Sequence, residues 1–415
     1  MKVFKFGGAS VKNADAIRNL SKIVANNNDQ KVIVISALDK TTNHLESVFN
    51  HYLAGNNLMW SEFQSIKDFH FKIIDDLFEG NSDEAKTLVS VIFNQLEEKL
   101  KVDSSGHYEY EYDQIISFGE LFSTRIVSLF LNYLNVQNVW VDIRTVLKTD
   151  DNYKSAELDE ELSKLHVGVK FNFNGVSNYI TQGFIASTSF GTTTTFGREG
   201  SDYTASILGS LLNAESVTIW KDVPGVLNAD PKLFQNTIVL PKIPYREAVE
   251  LAYSGAKVIH PKTIKPLHNS NIPLFVKSFV DPSLPGTIIS HEDTFIDSPV
   301  IIVKENQVLL SILPKDISFV IDDRLIEIIS ILEKYKIKSN IIQSSAVNFT
   351  VCVDSSYRLE ELINEFSSHY KVLYNDNLTL FTIRHYDEQT ISRELQGKTI
   401  LLEQRTRSTA RFVLK

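Results

Sequence analysis

Residues 2–10 read KVFKFGGAS: a short apolar strand, with Lys5 near its end, running into two adjacent glycines. Adjacent glycines let a backbone approach a bulky anion, and a helix that follows directs free N–H groups toward it. The next stretch supplies that helix, with Ile17, Leu20, Ile23 and Val24 at helical spacing. KVIVIS at 31–36 is a continuous β-branched run, suited to a strand buried on both faces. The alternation continues outward. Phe63, Ile66, Phe69, Ile73 and Leu77 form a helical stripe, and Leu121, Phe122, Ile126, Leu129, Phe130 and Tyr133 form another. VTIWKDV at 217–223 and IPLFVKSF at 272–279 read as later strands. Strand–helix alternation of this kind predicts an α/β fold with a mostly parallel central sheet covered by helices. Ligands in such folds collect at the carboxyl ends of the strands.

The composition is that of an ordinary globular chain. Its 415 residues predict two or three domains, with 43% hydrophobic and 22% charged residues. The net charge of −9 argues against nucleic acid or an anionic membrane as partner. A single cysteine, Cys352, excludes an intramolecular disulfide and any multi-cysteine metal site. It lies in FTVCVD, which alternates like a half-buried strand, so it reads as a small core residue. Lys2 and Lys5 interrupt what a secretion signal would need as an apolar core. The run VIVISAL is far short of the ~20 residues of a membrane helix. These features predict a cytoplasmic protein.

A boundary is predicted near 291–299, where HEDTFIDSP is polar and ends in proline. The expected domains are therefore 1–296 and 300–415. Beyond the boundary, VLLSILP, DDRLIEIISILEKYKI, KSNIIQSS, NFTVCVD, RLEELINEFSSHY and KVLYND follow a β-α-β-β-α-β order, the ferredoxin-like arrangement. NLTLFTIR, TILLEQR and ARFVLK add three strand-like segments with little helix between them.

Four segments could carry chemistry. In the first, Lys5 could neutralise a transferring phosphate beside Gly7, Gly8 and Ser10. Taken alone, KFGG reads equally as a tight turn with a surface lysine. No GxxxxGK[ST] and no GxGxxG occurs, so P-loop, dinucleotide and protein-kinase glycine loops are unsupported. The second, TTTTFGREGSDYTAS at 192–206, gathers Gly197, Arg198, Gly200, Ser201 and Asp202. Ser201 or Asp202 could simply cap the following helix, but that leaves the clustering unexplained. Arg198 offers a planar fork for a carboxylate or phosphate. The third, WKDVPGVLNADPK at 220–232, places lysines at both ends of a turn, as a polyphosphate site or a solvated loop would. The fourth, SGAKVIHP at 254–261, sets Lys257 near Gly255, with His260 read as structural. The histidines show no zinc spacing, and no protein-held metal site is expected.

In this order, KFGGAS, SALDKTTN, SFGELFSTR, TFGREGSDYTA, WKDVPG…DP and GAKVIHP closely resemble the aspartate kinases of the amino-acid kinase superfamily. The likeness covers essentially all of 1–290. It implies a three-layer αβα sandwich, the amino-acid kinase fold, followed by a ferredoxin-like ACT-type regulatory region. It also implies transfer of the γ-phosphoryl of ATP, with Mg²⁺, to the side-chain carboxylate of L-aspartate. The product is 4-phospho-L-aspartate, at the entry to lysine, threonine and methionine synthesis. By the same resemblance, Lys5 would contact the transferring phosphoryl group, and Gly7, Gly8 and Ser10 would form its anion loop. Ser36 and Thr42 would touch aspartate, and Glu120 would pair with its ammonium. Arg198 would clamp a substrate carboxylate, with Ser201 close by, and Asp202 would orient Lys5 or magnesium-bound water. Lys221, Asp222, Lys232 and Lys257 fall at the nucleotide positions. An aspartate carboxylate is ionised at neutral pH, so the reaction needs alignment and charge cancellation, not a general base.

The sequence departs from the family in places. GREG stands where many relatives read GRGG, so Glu199 adds negative charge. Position 221 is Lys where threonine is common, and 227 is Leu where some relatives have tyrosine. The second regulatory unit, 378–415, is too short for a complete β-α-β-β-α-β module: its first helix could only be DEQTISREL and its last is absent. The expectation is weakened or lost lysine feedback, with the ACT-like surface still forming a homodimer or higher homo-oligomer.

Overall fold

The computed structural model describes residues 1–27, 29–256, 259–292, 296–316 and 322–415. The chain divides into two compact units. The first holds 1–226, 239–249 and 258–294; the second holds 227–238, 250–257 and 295–415. Besides the C-terminal segment, two short excursions from the chain before residue 295 thus belong to the second unit.

The first unit is built on an eight-stranded sheet. Its order is Lys242–Pro244, Thr287–Ser290, Leu274–Ser278, Ser216–Lys221, Lys2–Phe6, Lys31–Ile35, Asn178–Gln182, Val139–Val141. Every pairing is parallel except Leu274–Ser278 with Thr287–Ser290. Lys31–Ile35 is buried throughout, as its unbroken β-branched run predicts. Phe6 lies in register with Ile35 on one side and Trp220 on the other. The loops after these strands therefore emerge along one edge of the sheet.

Successive side chains of a strand point to opposite faces. Lys5 meets Asp202 of the helix Gly200–Leu211 on one face. Phe4 turns to the other, beside the helix Ala14–Ala25. That helix is capped by Asn13, whose Oδ1 accepts from the Ala16 N–H at 2.9 Å, and it buries Ile17, Leu20, Ile23 and Val24. The stretch Tyr108–Tyr133 is apolar and long enough to cross a membrane, but 83% of its apolar window is buried inside the fold. It is broken at Ser117 into two helices, Tyr108–Ile116 and Phe118–Tyr133, the second of them largely buried. A smaller four-stranded sheet runs Leu158–Asp159, Lys148–Thr149, Ile185–Thr188, Thr193–Thr195.

The second unit is a six-stranded antiparallel sheet. Two 15-residue strands, Val300–Pro314 and Tyr370–Arg384, pair along their length and are shared by both halves of it. Midway they break register, with Asn306 and Asn377 in the left-handed region at φ 56° and 52°. The first half carries the expected β-α-β-β-α-β order. Its helices, Asp322–Lys334 and Leu359–His369, bury Ile328 and Phe366 against Val308, Leu310 and Phe349. The turn before the first of these helices lies partly outside the described residues.

The second half has one helix among the described residues, Glu388–Leu395, the segment picked out by sequence. Its core joins Ile391 and Leu395 to Phe381, Ile383, Ala410 and Phe412. Ala229 and Phe234, from the 227–238 excursion, complete that cluster. Cys352 is fully buried in its strand, where desolvation pushes its thiol up to about 12.

Candidate active site

The loop edge of the central sheet encloses a cavity of about 450 Å³ in the first unit. Gly8 explains how close the loops come. A Cβ there would lie 3.2 Å from the carbonyl oxygens of both Ala37 and Asp39. The glycines do not lead straight into the long helix, as the sequence suggests. A short 3-10 turn, Gly8–Val11, intervenes, and the helix starts at Ala14.

The opposite wall is the start of the helix Gly200–Leu211. Neither Ser201 nor Asp202 caps it: both lie inside its first turn, and Glu199, at φ 56°, occupies the cap position without a side-chain bond. Glycine is required at 183, where a Cβ would sit 2.4 Å from the Cβ of Ser201. The strand end and the helix start can touch only without a side chain there. Asp113 fixes the lead-in to this turn from below. It accepts hydrogen bonds from the Lys154 N–H at 2.9 Å, the Thr195 N–H at 2.8 Å and the Thr195 hydroxyl at 2.8 Å. Burial pushes its carboxyl up to about 6 despite those donors.

Lys5 and Asp202 form the electrostatic centre. Lys5 Nζ stands 2.5 Å from Asp202 Oδ1, and Lys221 Nζ is 3.8 Å from Oδ2. Burial alone would raise the Asp202 carboxyl, but the charges of Lys5 and Lys221 outweigh it and hold the group below the usual range. Glu120 is the opposite case. Its Oε1 accepts from the Ala37 N–H at 3.2 Å, while Oε2 is buried without a hydrogen-bond partner. Burial pushes this carboxyl up to about 8, and neither the Ala37 N–H nor the charge of Lys5 offsets it.

Of the residues picked out by sequence, Lys5, Gly7, Gly8, Ser10, Ser36, Thr42, Glu120, Ser201, Asp202, Lys221 and Asp222 line this one cavity. Arg198 is exposed and does not line it. Lys232 belongs to the second unit, exposed on a turn where its N–H donates to Asp230 Oδ1 at 2.9 Å. Lys257 lies outside the described residues. Asp39, Phe184 and Trp220 also line the cavity and were not expected there. Asp39 and Phe184 have φ of 44° and 68°, unusual for residues with side chains, and no sequence pattern announces that. The sequence reading surrounds the site with cations. Among the described lining residues, however, Asp39, Glu120, Glu199, Asp202 and Asp222 face only Lys5 and Lys221. A polyanion entering such a cavity needs an accompanying cation.

The chain belongs to the amino acid kinase family, whose model matches residues 1–278. Within it, the chain is 33% identical over 366 residues to lysine-sensitive aspartokinase 3 of Escherichia coli, covering 85% of this chain and 78% of that protein. It is 34% identical over 297 residues to the chloroplastic bifunctional aspartokinase/homoserine dehydrogenase 2 of Arabidopsis thaliana, covering 69% of this chain but only 32% of that protein. Among solved structures, E. coli aspartokinase III in complex with aspartate and ADP matches with a TM-score of 0.83 at 28% identity. That match covers 100% of this chain and 96% of the other.

Proposed function

We infer that this chain is an ATP-dependent aspartate kinase, moving the γ-phosphoryl of ATP to the side-chain carboxylate of L-aspartate. The observation that carries the reading is Glu120: a buried carboxylate with an unpartnered oxygen, in the same cavity as the Lys5–Asp202 pair. A buried acid kept short of partners is costly unless a ligand supplies one, and an amino-acid ammonium fits. Lys5 is the cation for the transferring phosphoryl, held in place by Asp202. The backbone of Gly7 and Gly8 and the Ser10 hydroxyl receive phosphate oxygens, and Ser36, Thr42 and Ser201 align the aspartate. Lys221 and Asp222 stand on the nucleotide side. Arg198, Lys232 and Lys257 are proposed as further ligand contacts on the resemblance to the family alone.

Among the described residues no group of three or more His, Cys, Asp or Glu side chains is placed to hold a metal ion. The acidic lining fits Mg²⁺ that arrives with the nucleotide, faced by Asp202 and Asp222 and neutralising phosphate charge. The carboxylate nucleophile is already ionised, so the chain's own residues align two anions and screen them from each other.

The test is a hydroxamate assay that requires both aspartate and ATP, run beside a panel of glutamate, carbamate and uridine monophosphate. Aspartate-dependent product alone is expected. Faster ATP consumption with any panel member would reassign the substrate, and ligand-induced stabilisation without turnover would make the chain a sensor.

The second unit is proposed to pair two copies of the chain. Ile326, Leu373 and Tyr374 are 64%, 53% and 54% exposed on it, more apolar surface than a lone regulatory unit needs. Light scattering should give a dimer mass; a monomer at micromolar concentration rejects the pairing. A cytoplasmic location and weakened lysine feedback complete the proposal.

A further inference from the structure

A second cavity, of about 520 Å³, lies on the sheet face away from Lys5. Its floor is the sheet itself. Phe4 and Phe275 flank Thr218 in register, and Trp220 stands between Phe6 and Lys277. In-register neighbours project to the same face, so Phe4, Phe275 and Trp220 make one apolar, aromatic floor. The helix Ala14–Ala25 forms a wall with Asn19 and Lys22.

The rim is basic. Among the described residues, Lys2, Lys22 and Lys277 line the cavity and no carboxylate does, in a chain of net charge −9. Lys2 is paired with Asp29, which is not part of the lining. Lys277 is half-buried, its Nζ 5.9 Å from the centre of the Trp220 ring. Trp220 itself is 6% exposed, and its indole N–H is buried without a hydrogen-bond partner. Buried indole N–H groups ordinarily find one. Trp220 lines both this cavity and the candidate active site.

We propose that this cavity is a second small-molecule site, taking a planar aromatic anion of about mononucleotide size. Aromatic side chains below accept a ring face or edge. Lysine ammonium groups above accept the anionic group: Lys22 and Lys277 meet no carboxylate among the described lining residues, and Lys2 shares its charge with Asp29 outside the lining. An aliphatic anion would use the lysines and waste the floor. A neutral ring would do the reverse. The volume suits a ligand of this class.

The test uses the full chain and 2-naphthyl phosphate as probe, followed by isothermal titration calorimetry with and without saturating ADP. Saturable one-to-one binding that persists with ADP is expected, with 2-naphthol binding at least about tenfold more weakly. Lys22→Glu and Lys277→Gln should each weaken the probe by about tenfold or more. Lys22 is exposed on its helix, so its replacement does not threaten the fold, and unchanged kinase turnover without probe confirms that. No binding at millimolar probe, loss of binding with ADP, or equal affinity in the Lys22→Glu and Lys277→Gln variants would each overturn the proposal. Because neither lysine touches the candidate active site, failure here leaves the kinase reading standing, and failure of the kinase assay leaves this one standing.

Discussion

Lys5→Ala should abolish phosphoryl transfer while the protein stays folded. Lys5 is 8% exposed and is the nearest cation to Asp202 within the cavity. Removing a preorganised cation from a phosphoryl-transfer site costs on the order of 10³-fold in turnover or more. The fold also feels the change. Breaking a nearly buried ion pair costs about 3 kcal/mol, because the remaining charge loses its compensation. Here Lys221 stays near Asp202 and limits that loss. The expected outcome is a melting temperature lowered by some degrees, a native circular dichroism spectrum, and no measurable product. A folded Lys5→Ala variant with near-normal turnover would remove Lys5 from the mechanism.

Glu120→Gln should raise the aspartate KM by about 10²-fold, the cost of truncating a buried charge pair. The pH dependence makes this prediction specific. With its carboxyl pushed up to about 8, Glu120 is mostly protonated at neutral pH in the empty protein. An arriving ammonium needs the carboxylate, so aspartate binding must release a proton. Affinity should rise with pH, by at most about tenfold per unit, and level off above about pH 8. Calorimetry at pH 7 in buffers of different ionisation enthalpy should count nearly one proton released, and none in Glu120→Gln. The variant should also narrow the preference for aspartate over succinate, which has no ammonium. Stability carries the opposite sign. The native state holds an extra proton between the unfolded value near 4.5 and about 8, so the empty protein loses stability as pH rises through that window. Glu120→Gln removes that loss. A wild-type aspartate affinity that is flat between pH 6 and 8 would refute the assignment.

The parts of this architecture that follow from local periodicity were legible. The buried run at 31–36, the helical stripe after Asn13 and the strand ending in Gly7-Gly8 are where their side-chain spacing puts them. Other features were hidden by chain continuity. KVLYND and NLTLFTIR read as separate strands because polar residues around Asn377 mimic a turn; they are one strand bent at a left-handed residue. Lys232 follows Asp222 closely in sequence, yet the intervening chain leaves for the second unit. Asp113, in YEYEYDQII, looks like one more acid on a polar helix face. Only tertiary placement shows that it is buried and holds two backbone N–H groups. Trp220 lies in the strand-like VTIWKDV, and nothing in one sequence shows a strand side chain forming the wall of two cavities. The role of Glu120 came from family resemblance; its unpartnered oxygen needed coordinates.

The excursion at 227–238 has a consequence for the chain's heredity. Ala229 and Phe234 fill the core of the second unit, yet they are encoded between Asp222 of the candidate active site and the strand Lys242–Pro244 of the first. The two units are stitched, not strung. A recombination event that exchanged residues 295–415 for those of another protein would leave Ala229 and Phe234 behind and break up the apolar cluster they share with Phe381 and Phe412. The second unit of this chain can therefore drift residue by residue, but it cannot be swapped whole.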